Sequence, residues 1–140
     1  GVIPNITDHE FLTNSHHVPV WHEIGIFYKL AVEAPFCKYP TGGCITYVEL
    51  DSTFVKNTKA IEQIIDYAFK ELDIPYLAFN FPIDSCLDCG YQGEFNDACP
   101  ECGSHNIQQL RRVTGYLTGS YKTAFNKGKI QETEMRVKHK

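Results

Sequence analysis

Two Cys-x-x-Cys hooks, Cys86–Cys89 and Cys99–Cys102, constrain this chain more than any other feature. A hook of that length aims two thiolates at one point, which suits a metal ion better than it suits a staple between distant loops. Glycine follows each hook (Gly90 and Gly103), where positive φ lets backbone amides approach the sulfurs. Four thiolates close a tetrahedral shell with Zn–S near ~2.3 Å and leave no position for water, so such a site is structural and not hydrolytic. Zinc and an iron centre of rubredoxin type both accept this ligand set. The other two cysteines, Cys37 and Cys44, lack the spacing and are assigned no role beyond packing. Hooks in place of a disulfide framework point to a reducing, cytoplasmic compartment.

At 140 residues and 43 % apolar content the chain can bury a core, as one domain or as a small domain with a metal-stapled appendix. No apolar run is long enough to cross a bilayer, and no signal-peptide pattern opens the chain, so no membrane partner is expected. The only methionine is Met135, and the expectation is a piece of something longer. Net charge is −4, with +6 in residues 103–140 (eight Lys/Arg against Glu132 and Glu134) and therefore −10 in residues 1–102. A basic tail meets phosphates or an acidic partner, or it packs against the acidic remainder or is simply solvated; the second, plainer reading is preferred.

The chain divides by composition into residues 1–84 and 85–140. In the first part, Trp21, Ile24, Tyr28 and Ala31 or Val32 recur near helical spacing from Trp21 to about Glu33, where Pro35 stops the element. A strand is expected at Ile45–Leu50 and a buried strand at Tyr76–Phe81, ended by Pro82. Between them Ile61, Ile64, Ile65, Ala68, Phe69 and Leu72 make one apolar stripe of a helix from Thr58 to Leu72, with Asn57 as N-cap. Strand, helix, strand in that order predicts a parallel βαβ crossover within a larger α/β sheet or barrel. In the second part, Ile107–Leu117 reads as a ribbon strand that delivers Gly115 on a loop. Residues beyond it, with Gly119 and Gly128, give no clear pattern.

Gly115 lies in the run Arg111-Arg-Val-Thr-Gly-Tyr116. A carbon radical at a peptide Cα is stabilised when the amide nitrogen donates and the carbonyl withdraws, which needs a planar Cα. Only glycine, lacking Cβ, flattens freely. Taken by themselves, those letters read first as an ordinary turn.

A wider set of segments resembles the C-terminal part of the anaerobic, class III ribonucleoside-triphosphate reductases. These are Thr13-Asn-Ser-His-His-Val-Pro19, Val32-Glu-Ala-Pro35, Tyr47-Val-Glu-Leu50, Asn80-Phe-Pro-Ile-Asp84, both cysteine knuckles, Arg112-Val-Thr-Gly-Tyr116, Phe125-Asn-Lys-Gly-Lys129 and Arg136-Val-Lys-His139. Pyruvate formate-lyase and its relatives share a similar radical loop without the four-cysteine ribbon. One departure from the family pattern is His16, where tyrosine is usual. The resemblance implies the end of an α/β barrel of the glycyl-radical type, followed by a zinc ribbon and radical loop. It implies a stored radical on Gly115 and zinc on Cys86, Cys89, Cys99 and Cys102. It also implies an activase that uses S-adenosylmethionine and an iron–sulfur cluster, ribonucleoside triphosphates as substrates, the remainder of the large chain as a partner, and a homodimeric full enzyme. The thiyl cysteine that attacks the ribose would lie elsewhere in such an enzyme, which makes deoxyribonucleotides for DNA synthesis. Thr13, Asn14 and Ser15 are candidates for a substrate-phosphate cradle, since two hydroxyls, an amide and backbone N–H groups suit one; a loop satisfying its own backbone fits them equally. His16, His17 and His22 are read as structural, because the thiolates already complete a metal shell.

Two other readings stay open on sequence. One is a free-standing radical carrier that docks into a split or damaged enzyme. The other is a zinc-ribbon nucleic-acid binder, which the ribbon acids Asp84, Asp88, Glu94, Asp97 and Glu101 oppose by repelling phosphate; no nucleic-acid partner is expected.

Overall fold

The computed structural model describes residues 1–13, 16–113 and 115–140, with Val55 described by its backbone alone. The chain folds as two units that interleave in sequence: residues 13–81 with 136–140, and residues 1–12 with 82–135. A single boundary after residue 84 therefore misses both termini.

In the first of these units the expected crossover is present. Strand β1 (Thr46–Glu49) pairs in parallel with β2 (Leu77–Asn80), in the register Thr46↔Leu77 to Glu49↔Asn80. Helix α2 (Thr58–Asp66) lies between them in sequence, and Asn57 caps it by accepting the Ala60 N–H at 3.2 Å. Its last part widens into a π-turn over Tyr67–Glu71, where the Leu72 N–H donates to the Tyr67 carbonyl. Ile64 and Ala68 are buried and Ile61 and Leu72 pack beside them, whereas Phe69 is 45 % exposed and drops out of the expected stripe. The core is completed by Ile26, Leu30, Val48, Leu50 and Ile74. These strands make a two-stranded parallel sheet.

The first helix departs from its expected start and face. Helix α1 runs Ile26–Glu33, because residues up to Gly25 turn first and the Ile26 amide finds its acceptor in the Lys140 carbonyl at 3.1 Å. Pro35 does not stop the chain's coiling; a 3₁₀ turn continues over Ala34–Phe36. The buried face is Ile26, Lys29, Leu30 and Glu33, and the periodic Tyr28 and Val32 point outward. A charged pair explains the inversion. Fully buried Glu33 accepts from Lys29 Nζ at 2.7 Å, from the Val18 N–H at 2.8 Å, and lies 3.0 Å from His17 Nδ1. Burial alone would raise the Glu33 carboxyl, but His17 and Lys29 outweigh it and hold it below the usual range. Stripping one partner from such a buried pair costs about 3–5 kcal/mol, so these charges hold the helix in place.

The chain end is stitched into the same unit. His139 brackets Glu49: its N–H donates to the Glu49 carbonyl at 2.8 Å, and its Nδ1 accepts the Glu49 N–H at 3.0 Å. The Glu49 carboxylate in turn takes Asn80 Nδ2 at 2.8 Å and Arg136 Nε at 3.3 Å.

The second unit holds a four-stranded antiparallel sheet in the order β4-β3-β5-β6: β3 (Ile83–Cys86), β4 (Gln92–Gly93), β5 (Ile107–Val113) and β6 (Tyr116–Thr118). Two short helices follow, α3 (Tyr121–Ala124) and α4 (Lys127–Glu134), the latter capped by Asn126 accepting from the Lys129 N–H at 2.9 Å. Much of the basic tail is spent on carboxylates: Lys129 on buried Glu132, Lys127 on Glu10 and Arg136 on Glu49. No helix among the described residues is long and apolar enough to cross a membrane.

His139 gives the first unit a defined acid sensitivity. Burial first, then the neighbouring Lys29 charge, push it from 6.5 down to about 4. It stays neutral in the fold but protonates readily once unfolded, so its contribution is complete above about pH 6.5 and is lost as pH falls toward about 4. Stability measured by urea denaturation is expected to decline across that window, and His139→Gln, which keeps an acceptor without a titrating ring, to flatten the decline.

Candidate metal centre and radical loop

The two hooks fold as the same knuckle, used twice. In each, the first cysteine's carbonyl accepts from the glycine four residues on: Gly90 N–H to Cys86 at 3.0 Å and Gly103 N–H to Cys99 at 2.8 Å. In each, the first cysteine's own N–H donates one residue further, to Tyr91 at 2.9 Å and to Ser104 at 2.8 Å. Gly90 and Gly103 have φ of +77° and +72°, the left-handed region where a Cβ is penalised. The glycines after the hooks are thus required by the turn itself.

The knuckles bring four sulfurs within 4.8 Å of one another, Cys86 and Cys99 buried and Cys89 and Cys102 exposed. Across the knuckles, Cys86 Sγ lies 3.6 Å from Cys102 Sγ, and Cys89 Sγ lies 3.5 Å from Cys99 Sγ. A tetrahedral ion with ~2.3 Å bonds separates its sulfurs by about 3.8 Å, so the cage is already near metal size. Its protonation favours a cation too. The Cys89 N–H leads in pulling the Cys86 thiol down to about 7. Cys89 is pushed up to about 12 against the pull of the Tyr91 amide, by burial and by the three other sulfurs. Cys102 is also raised, against the pull of the Ser104 amide. One thiolate forms easily and the next ones resist, a conflict that a divalent cation removes. Among the described residues these four are the one group of three or more metal-ligating side chains.

Two carboxylates that look like ribbon surface charge are internal ties. Asp88 accepts from the Ser104 hydroxyl and from Asn106 Nδ2 at 2.7 Å, tying the first knuckle to the exit of the second; these bonds hold its carboxyl below the usual range. Asp84 is fully buried on β3 and receives Arg111 in a fork, Nη1 to Oδ1 at 2.5 Å and Nη2 to Oδ2 at 3.1 Å. It also accepts the Phe95 N–H at 2.8 Å. The fork is the strong form of ion pair, fixed in direction as well as distance. Nothing in the sequence separates Asp84 from its solvent-exposed neighbours; only the β3–β5 register does.

Arg111 leads directly to Gly115. The expected ribbon strand over Ile107–Leu117 is two strands, paired Arg111↔Thr118, Arg112↔Leu117 and Val113↔Tyr116, and Gly115 falls on the turn between them, on a loop as expected. Thr114 lies outside the described residues. Val113 is fully buried on one arm, and on the other Tyr116 meets Phe125 edge-on with ring centroids 6.0 Å apart. Gly115 is exposed, and a Cβ built on it would meet nothing within 4 Å.

The remaining candidates are dispersed. Of the proposed phosphate cradle, Thr13 is half-buried and Asn14 and Ser15 lie outside the described residues. His17 binds Glu33, His16 Nε2 sits 3.1 Å from Cys44 Sγ, and neither is among the ligands of the four-sulfur cage. Cys37 and Cys44 are buried with their sulfurs 2.7 Å apart, a pairing that their separate positions in the sequence did not announce.

The family model for anaerobic ribonucleoside-triphosphate reductase matches residues 2–139. The chain is 39 % identical to the anaerobic ribonucleoside-triphosphate reductase of Escherichia coli K12, over 99 % of this chain and 20 % of that protein. It is 38 % identical to the enzyme of the same name from Enterobacteria phage T4, over 99 % of this chain and 24 % of that protein. The chain therefore spans about a fifth to a quarter of these relatives. A solved anaerobic ribonucleotide reductase has the same fold over 87 % of the chain and 19 % of that structure, with a TM-score of 0.64 at 24 % identity.

If the knuckles are one metal-built module, Cys99→Ser should abolish stoichiometric metal in elemental analysis. It should also raise amide exchange across residues 85–117 while leaving helix α2 protected, because metal binding there is local folding energy. Freshly purified protein with no metal would contradict this.

Proposed function

The chain belongs to the anaerobic ribonucleoside-triphosphate reductase family, and we propose that it is the radical-storing, C-terminal part of the large chain of such an enzyme. Gly115 holds the unpaired electron at rest. Cys86, Cys89, Cys99 and Cys102 hold zinc, whose task is to fix the ribbon and not to touch substrate. An activase that uses S-adenosylmethionine and an iron–sulfur cluster removes a hydrogen atom from Gly115. The radical then generates a thiyl in the remainder of the large chain, which reduces ribonucleoside triphosphates to deoxyribonucleotides for DNA synthesis. The end of an α/β barrel to which β1, α2 and β2 contribute, a substrate-phosphate cradle at Thr13, Asn14 and Ser15, a homodimeric full enzyme and a cytoplasmic setting belong to the same proposal.

One observation carries the reading. Gly115 stands at the exposed tip of the β5–β6 hairpin, with empty space for 4 Å where a side chain would go. Crowding does not account for a glycine there. Its chemistry does: a Cα without a Cβ becomes planar without forcing a side chain into the backbone. Exposure lets an activase reach the Cα hydrogens, and the supports are spaced along β5 behind the tip: buried Val113, the Asp84–Arg111 fork and, at the far end beside Ile107, the four-sulfur cage.

The open space also makes the decisive variant interpretable, because an added methyl meets no neighbour. In the intact enzyme, anaerobic incubation with activase, S-adenosylmethionine and a reductant should give a doublet electron-spin signal. Gly115→Ala should lose that signal and nucleotide reduction while keeping its metal content and melting temperature. A doublet that survives in the alanine variant would move the radical to another residue.

A further inference from the structure

Cys37 and Cys44 take no part in the metal cage or the radical loop, yet they form the closest pair of sulfurs in the described residues. Cys37 follows the 3₁₀ turn after α1, and Cys44 follows the Gly42–Gly43 loop that leads into β1. Their Sγ atoms stand 2.7 Å apart, inside ordinary sulfur contact, with the Cys44 thiol directed at the Cys37 sulfur. Cys37 Sγ also lies 3.7 Å from the Glu33 carbonyl and 3.7 Å from Thr46 Oγ1. His16 Nε2 is 3.1 Å from Cys44 Sγ.

Both thiols are buried, Cys37 6 % and Cys44 2 % exposed. Cys37 lines a surface pocket of ≈ 650 Å³ together with Ala34, Lys38, Glu71, Leu72 and Asp73, large enough for a small peptide-like molecule. One cysteine therefore belongs to the pocket wall and the other has a base in contact with its sulfur. That is the arrangement of an attacking and a resolving thiol.

We propose that Cys37 and Cys44 are a reversible dithiol/disulfide couple that exchanges with small aliphatic disulfides entering the pocket beside Cys37, and that His16 is the base for the second step. Cys37 as thiolate attacks one sulfur of the disulfide, forming a mixed disulfide and expelling one small thiolate. Cys44 then passes its proton to His16 Nε2 and attacks the Cys37 sulfur, forming the Cys37–Cys44 bond and expelling the second small thiolate. The protons end on the two expelled thiols, so two protein thiols are oxidised and one small disulfide is reduced to two thiols. A dithiol reverses the sequence.

The surroundings fit these roles. Burial, then the bond to Cys37, push the Cys44 thiol up to about 12, so it keeps its proton until a base takes it. Burial and the neighbouring His17 hold His16 below its ordinary range, so its ring is neutral near pH 7 and carries a lone pair for that proton. The inference is independent of the radical assignment and of the family.

Trypsin cleaves after Lys38, which separates the two cysteines into peptides 30–38 and 39–56. The test treats the intact, metal-loaded protein with oxidised glutathione, blocks free thiols with iodoacetamide and maps the digest by mass. The expected product is the two peptides joined by a disulfide, with metal content unchanged and the link reversed by dithiothreitol. In His16→Ala, Cys37 should accumulate as the glutathione mixed disulfide, and the link should form about 100-fold more slowly. Cys37→Ala should give neither the link nor glutathione on Cys44. Persistent mixed disulfide on wild-type Cys37 would overturn the resolving role of Cys44. Both thiols staying free at glutathione levels that already strip the metal would overturn the couple. An unchanged rate in His16→Ala would remove His16 from it.

Discussion

Four sulfurs within 4.8 Å of one another are the constraint on which the ribbon unit depends. Without a cation they compete for protons and repel as thiolates; with one, they become a rigid corner. The backbone accommodates this by repeating one turn twice, each closed by a glycine at positive φ. Asp88 then ties the two knuckles through Ser104 and Asn106, and β5 leaves the cage with its direction already set.

From that corner the structure carries rigidity outward to a residue that has little of its own. Gly115 has no side chain and no close neighbour for one, so its position comes from what flanks it. Val113 anchors one arm, Tyr116 leans on Phe125 from the other, and the Arg111 fork on Asp84 pins β5 to β3. A buried bidentate pair is worth less as net stability than as direction. Here the direction is what a hairpin with an exposed tip needs. A metal in the cage, the fork and the hairpin would act in series, which is how the cage would bear on the radical chemistry proposed for Gly115.

Much of this was legible in the residues, and the misses have physical causes. The hooks, the glycines after them and the β1–α2–β2 crossover follow from spacing and periodicity. Helix α1 was misread because its buried face carries Lys29 and Glu33, and apolar periodicity is blind to a paired charge. Asp84 looked like a surface acid because its partner arrives from a strand some way down the chain. The strand over residues 107–117 resolved into a hairpin because only pairing, not composition, reveals where a ribbon doubles back. The Cys37–Cys44 contact joins two loops across a stretch without periodic pattern, and no spacing rule announces it.

Dioxygen is a chemical probe for a radical on Gly115. A carbon radical at a backbone Cα adds dioxygen and the chain breaks there, so the break reports the radical's address. Activated enzyme exposed to air should show by mass spectrometry one new pair of ends, at Gly115, with the four-cysteine cage and its metal intact. Breakage at another residue, or none in a sample that showed the doublet beforehand, would take the radical off Gly115.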